Sequence, residues 1–281
     1  MPKVKGVDGE VHRFESWGDF VRACQRPADA SVSSPSSRCK TPSESWDKGA
    51  GWDKALTLAK VGWPEGVRQF GLLTERIQTA VAETMQPHSY RPDDTEGLFF
   101  DAGLAMAGEA DYWFKREPEL TTGEVVQIVM NATASCGVGA DVMIARGAAV
   151  AALATTLEME GRSVEVLLAY AVQATERITT LVKVKSFNER AEPSILAYAL
   201  AHPAAFRRLY FAWQESQRGA ATRFNVGGGY GFPTDVDSAL MEPDALYIGK
   251  AYYGDDAWRT VETAAEWVRE QLRKYGVEVQ D

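Results

Sequence analysis

The clearest alternation of apolar and polar positions begins near residue 124. Val125-Val126-Gln127-Ile128-Val129-Met130 is a nearly continuous apolar run, the pattern of a strand covered on both faces in a parallel sheet. After a loop from Asn131 to Ala140, Asp141 stands where an N-cap is expected. Val142, Ala149, Val150, Leu153 and Leu157 then recur at helical spacing and predict a helix with one buried face. Gly161 ends it, and Val164, Val166, Leu167, Leu168 and Tyr170 predict a second strand. The three elements make a βαβ unit whose helix is long enough for a right-handed crossover. From Ile178 to Lys185 the pattern changes: Thr180, Val182 and Val184 alternate with Leu181, Lys183 and Lys185. Lysine on the outer face suits an exposed edge strand that pairs antiparallel with its neighbour.

Further along, Ser194 to His202 and Ala204 to Glu215 read as helices separated by Pro203. A glycine-rich loop from Asn225 to Gly231 follows, a connection by default, with Asp235 and Asp237 beyond it as a possible lid or partner contact. Ala245 to Ile248 is a late short strand, Asp256 to Lys274 a last helix capped by Gly276, and Val277 to Val279 a candidate closing strand. The expected sheet therefore uses 124 to 130, 163 to 172, 178 to 185 and 245 to 249, with the strand near 180 at or next to an edge. Ahead of it the pattern is mainly helical. An amphipathic stretch runs from Trp17 to Cys24, and helices run from about Asp53 to Lys60 and Glu65 to Met85, divided by Gly62-Trp63-Pro64. A Ser/Pro-rich tract near 31–43 reads as an exposed loop, and Trp17, Trp46, Trp52 and Trp63 as packing residues rather than a ligand box. A short strand before Asp101, with that aspartate capping a turn, completes the region. The organisation expected is a Trp-rich, mainly helical region at 1–121 and an α/β domain at 122–281.

Composition narrows the picture only a little. The 45% hydrophobic and 25% charged residues are ordinary globular values, which excludes a disordered, collagenous or disulfide-framework chain. A formal charge of -9 disfavours coating nucleic acid through the net field. Three cysteines, Cys24, Cys39 and Cys136, form no C-x-x-C pair and fit a reducing compartment. No apolar leader follows Met1, and the most apolar segment, Ala148 to Leu157, falls short of the roughly 20 residues a membrane span needs. A cytoplasmic location without membrane contact is the expectation.

The chemistry-bearing stretch is the loop Asn131-Ala132-Thr133-Ala134-Ser135-Cys136-Gly137-Val138-Gly139, at the carboxyl end of the first strand, where doubly wound domains bind ligands. It holds no lysine, so it is not a Walker loop, and Val142 stands where a dinucleotide fingerprint needs its third glycine. A strand, an Asn-x-Thr-x-Ser loop, a long helix, a strand and an antiparallel edge strand resemble the opening of a von Willebrand factor A domain. That resemblance implies a Rossmann-like sheet flanked by helices and an oxygen site for Mg²⁺ or Mn²⁺. Asn131 would stand in place of the family's aspartate, Thr133 of its first serine, and Ser135 would match the second, with a later carboxylate from Asp255 or Asp256. The neutral Asn131 departs from the family pattern, and the ion site is accordingly degenerate. The same three residues also suit local capping of the loop and helix. Asn131→Asp separates the two readings: an ion site gains Mg²⁺ affinity, whereas a capping loop does not.

Other chemistry is thinly supplied. His12, His88 and His202 have no partner at ligand spacing, Cys136 has no base in view, and Arg207-Arg208 reads as a solvated helix face. Across the whole chain, Ser45-Trp46, Ala55 to Ala59, Gly62-Trp63-Pro64-Glu65-Gly66, Phe100-Asp101-Ala102-Gly103 and Leu157-Glu158-Met159-Glu160-Gly161 resemble a family of proteins carried by bacterial and archaeal viruses. The resemblance implies a phage or prophage origin, in the host cytoplasm or the virion, and adds no mechanism. The functional expectation is a non-enzymatic interaction or assembly module with a protein partner. The alternative is an enzyme or factor of viral nucleic-acid metabolism that binds phosphate at the 131–141 loop, because backbone amides at a helix N-terminus hold phosphate without a lysine.

Overall fold

The structure is a computed structural model that describes residues 7–82, 90–93, 99–100, 113–116, 125–159, 161–189, 192–254 and 256–277. Its strands are β1 (Glu10–Phe14), β2 (Tyr90–Asp93), β3 (Phe99–Phe100), β4 (Trp113–Arg116), β5 (Val125–Asn131), β6 (Ser163–Gln173), β7 (Arg177–Lys185), β8 (Phe232–Pro233) and β9 (Leu246–Ile248). Its α-helices are α1 (Trp17–Cys24), α2 (Ser36–Cys39), α3 (Glu44–Asp47), α4 (Trp52–Val61), α5 (Pro64–Ala82), α6 (Ala140–Met159), α7 (Pro193–Ala201), α8 (Phe211–Glu215), α9 (Ala220–Arg223) and α10 (Val261–Lys274). A π-helical segment, Ala205–Tyr210, runs directly into α8.

Six strands form the main sheet in the order β1-β7-β6-β5-β9, with β8 on β6. β5 runs parallel to both β6 and β9, β7 is antiparallel to β6, and β1 is parallel to β7. The four strands expected at 124–130, 163–172, 178–185 and 245–249 are present, and β7 lies next to an edge, whereas residues 278 and 279 of the candidate closing strand lie outside the described residues. The edge itself is β1, which comes from the stretch ahead of α1, so residues near the chain start complete the sheet. The region up to 121 accordingly holds β1 and the small β2-β4-β3 sheet alongside its helices. The lysine positions also differ from the expected ones. Lys185 is buried, donates to the Val164 carbonyl at 2.9 Å and pairs with Glu158 at 2.6 Å; Lys183 lies between Glu15 (3.6 Å) and Glu165 (3.3 Å). Neither occupies the free outer edge that the alternation suggested.

Alternating side chains give the sheet two unlike faces. Val126, Ile128, Met130, Val164, Val166, Leu168 and Tyr170 join the large core with α1 and α6. Helix α6 differs from its expected form. It begins at Ala140, which places Asp141 inside the first turn, and Ala148 to Ala154 are all buried because α5, α7 and α10 surround it. Over Ala140–Glu158 it is long and apolar enough to cross a membrane by length and composition, correcting the shorter span read from the sequence, and 78% of that window is buried within the fold. Gly147 admits α7 to close contact, since a Cβ there would stand 2.7 Å from Ala201. On the opposite face Val129, Leu167, Ala169, Ala171 and Leu181 form a smaller cluster beneath Val236 and Leu240. Among the described residues this second face is covered by the connection 232–245 rather than by an α-helix.

One sequence reading is overturned beside the 26–50 segment. Arg207 and Arg208 are buried, not solvated. Arg208 pairs with the buried Asp47, its Nε donating at 2.9 Å, and also donates to the carbonyls of Ser37 (3.0 Å) and Lys40 (2.9 Å). Glu215, equally buried, accepts from the Ser37 N–H (2.9 Å), the Ser37 hydroxyl and the Tyr230 hydroxyl (2.5 Å). The Ser/Pro tract is thus anchored at Ser37, and the glycine-rich loop at Tyr230, whose ring stacks on Phe211 at 4.0 Å. Trp17 and Trp63 are core residues, as expected, while Trp46 lies beneath Lys40, Arg207 and Arg208.

Candidate functional site

The site is built where β5 stops. β5 ends its pairing at Asn131↔Ala169, but β6 continues to Gln173. β8 takes the vacated side, pairing Val172↔Pro233 and Gln173↔Phe232, and the Thr234 N–H donates to the Ala171 carbonyl at 3.0 Å. The chain therefore lays its own 232–236 segment over the carboxyl end of β5. The next strand is tied in the same way, through the Ala134↔Ala251 bridge and the hydrogen bonds Ser135 N–H to Ala251 O (3.1 Å) and Ala251 N–H to Thr133 O (3.0 Å).

Asn131 is the centre of this closure and is fully buried. Its Oδ1 accepts from the Thr133 hydroxyl (2.6 Å) and the Thr133 N–H (3.2 Å). Its Nδ2 donates to the Thr234 carbonyl (2.8 Å) and the Tyr247 hydroxyl (3.1 Å). Tyr247 accepts in addition from the Val236 N–H (3.0 Å) and donates to Asp235 (3.2 Å), and Asp235 pairs with Lys250. Burial raises the Tyr247 pKa, opposed by the hydrogen bonds from Val236 and Asn131. Burial works against the Lys250 charge, but the Asp235 carboxylate outweighs it and raises that pKa. Arg146, also buried, donates to the backbone carbonyls of Asn131 (3.3 Å) and Gly249, linking the ends of β5 and β9. Arg207 donates to the Val138 carbonyl at 2.6 Å from the other side of the loop. Its pKa is lowered to about 10, chiefly by burial, so it stays charged at neutral pH.

Of the residues proposed to ligate Mg²⁺ or Mn²⁺, two are arranged for each other. Asn131 and Thr133 are mutually hydrogen-bonded, Ser135 Oγ is buried with no hydrogen-bond partner, and Asp255 lies outside the described residues, as do Asp101 and His88. Asp256 opens a short 3-10 turn, Asp256–Trp258. Among the described residues no group of three or more His, Cys, Asp or Glu is placed to hold a metal. Neutral oxygens with a guanidinium alongside do not fit a hard divalent cation, which depends on ligand charge. The amide at 131 has a different logic: it needs a donor for Thr234 and Tyr247, which an aspartate lacks. Tyr247, Thr234 and Lys250 carry no motif that sequence reasoning could have found, because their partners are far off in the chain. In the sequence Asp235 is legible only as a candidate lid or partner contact beside a connecting loop. Cys136 is exposed on the loop. His12 and His202 are buried packing residues, in edge contact with Trp213 and Trp63.

Fold and site together define a mixed α/β protein with a mostly parallel sheet flanked by helices, whose strand ends are closed by its own chain. The model of the family described as "Domain of unknown function (DUF7192)" matches residues 5–279, and the chain belongs to that family. No curated protein and no solved structure matches it.

Proposed function

We propose that this chain is a non-enzymatic protein-interaction module, an adaptor or assembly factor of phage or prophage origin that works in the host cytoplasm or the virion. The observation that carries the reading is the filled crevice. Where a doubly wound sheet takes ligands, the 232–236 segment occupies the space and its polar groups are mutually satisfied. Around it stand Phe232, Tyr252 and Tyr253, with relative exposures of 76%, 52% and 85%. Exposed aromatic side chains of this kind supply contact area and binding energy at protein interfaces. The strand order β7-β6-β5-β9, with β7 reversed, supports a von Willebrand A-like reading of the sheet in which the ion is dispensed with.

A thermal-shift screen and a displayed-peptide selection test the proposal together. The melting temperature is expected to ignore Mg²⁺, Mn²⁺, nucleotides and oligonucleotides, and selected peptides are expected to bind about tenfold more weakly to the Tyr252→Ser/Tyr253→Ser variant. Stabilisation by a nucleotide, with no peptide selected, overturns the proposal in favour of phosphate binding at the 131–141 loop.

A further inference from the structure

The second face of the sheet carries another feature at its opposite end. Val125 and Asn131 bound β5, seven residues long, so its amino end lies roughly 20 Å from the closed crevice. There the 232–245 connection leaves an open groove of about 340 Å³ lined by Val125, Gln127, Glu165, Phe187, Glu242 and Asp244, among others. Its exposed wall includes apolar side chains: Val125 is 45% and Phe187 50% accessible. Its inner polar groups are already paired, Gln127 donating to Glu165 (3.0 Å) and accepting from the Glu242 N–H (3.0 Å), and Glu165 holding Lys183. The carboxylates of Glu242 and Asp244 differ: both are exposed, and neither forms an ion pair among the described residues.

We infer that this groove docks an extended protein segment that alternates basic and apolar side chains. An apolar side chain would cover Val125 and Phe187, and lysine or arginine would meet Glu242 and Asp244. A strand-like segment presents successive side chains to opposite sides and so suits a shallow groove beside a sheet. Charge complementarity selects the sign of the partner, and an acidic segment would meet two unpaired carboxylates. The inference rests on reading the chain as an interaction module, but uses a surface remote from Tyr252 and Tyr253.

Fluorescence anisotropy with the full chain and labelled decapeptides of alternating lysine and leucine, lysine and serine, or glutamate and leucine tests it. The lysine-leucine peptide is expected to bind best. Glu242→Lys/Asp244→Lys is expected to weaken it by about tenfold and Phe187→Ser by about fivefold, while Glu262→Lys/Glu270→Lys, an equal charge change on the exposed side of α10, costs under about twofold. Equal loss in the α10 variant would mean general attraction to an acidic protein and overturns the groove, as does the absence of binding to any of the three peptides. Loss in Tyr252→Ser/Tyr253→Ser with the groove variants unaffected also overturns it, yet leaves the interaction module standing. Nucleotide stabilisation without peptide binding removes both.

Discussion

Two regions of this fold bury polar groups to hold one segment against another, and they do so with different chemistry. The 26–50 segment is fixed by charges: Arg208 against Asp47, and Glu215 against Ser37 and Tyr230. At the buried centre the 232–236 segment is fixed over β5 by a neutral amide and a phenol; its charged contacts, the Asp235–Lys250 pair and Arg177 donating to the Thr234 hydroxyl (3.2 Å) and the Asp235 carbonyl (2.7 Å), lie towards its more exposed rim. Buried ions repay their desolvation only while every partner is present, whereas a neutral network degrades by single hydrogen bonds. The ionic region should therefore fail abruptly and the neutral one by steps.

Asp47→Ala gives the largest expected effect. It leaves the Arg208 guanidinium, which is completely buried, with carbonyl acceptors and no counter-charge, and loss of about 3–5 kcal/mol is expected. Urea unfolding measures this, and a loss below about 1 kcal/mol would mean that the carbonyls of Ser37 and Lys40 suffice. Asn131→Asp carries charge into the neutral region. The carboxylate cannot donate to Thr234 or Tyr247 and is fully buried, so roughly 3 kcal/mol of destabilisation is expected. The melting temperature of the variant should not respond to millimolar Mg²⁺. A rise would restore the ion site expected from the loop resemblance.

How far these regions were legible follows from the same chemistry. β5, α6, β6 and β7 are specified by local periodicity, and the apolar runs from Val125 to Lys185 locate them. Asn131-x-Thr133 was legible as a capping pair, because its hydrogen bonds span two residues. Arg208 to Asp47 spans 161 residues and Asn131 to Tyr247 spans 116, and no local pattern encodes such partners. A double arginine reads as solvated until its carboxylate is known. β1 was missed since Glu10-Val11-His12-Arg13-Phe14 is polar for a strand, and it forms as an edge on β7.

Protonation offers a third way to place a charge in a neutral site. His202 is buried, and its Nδ1 accepts the Ala204 N–H at 3.1 Å, which requires an unprotonated nitrogen. Burial first, and then the charges of Lys54 and Lys48, lower its pKa from 6.5 to about 3. The unfolded chain therefore binds a proton that the native state refuses between these values. Stability from this group is complete above pH 6.5 and is lost as pH falls towards 3, roughly 2 kcal/mol of it by pH 5. Urea unfolding of the protein and of His202→Asn, whose side-chain oxygen can replace Nδ1 as acceptor, isolates the term. A parallel fall in both proteins between pH 7 and pH 5 would assign the acid sensitivity elsewhere.

The smallest effect is expected from Tyr247→Phe, and it is the most direct probe of stepwise failure. The phenol hydroxyl receives Asn131 Nδ2 and the Val236 N–H and gives its proton to Asp235. Deleting it leaves Asn131 bonded to Thr234 through one amide hydrogen and Asp235 paired with Lys250, while the second Nδ2 hydrogen of Asn131 and the Val236 N–H each lose a partner. A neutral hydrogen bond of this kind contributes about 1 kcal/mol, and the ring still fills its place beside Ala245 and Val236. Hydrogen exchange should speed up at Val236 and Thr234 while the amides of β6 keep their protection, as expected for a closure that opens locally. If Tyr247→Phe instead matches Asp47→Ala in cost and exposes the whole sheet to exchange, the neutral network is as cooperative as the ionic one and the contrast between the two regions fails.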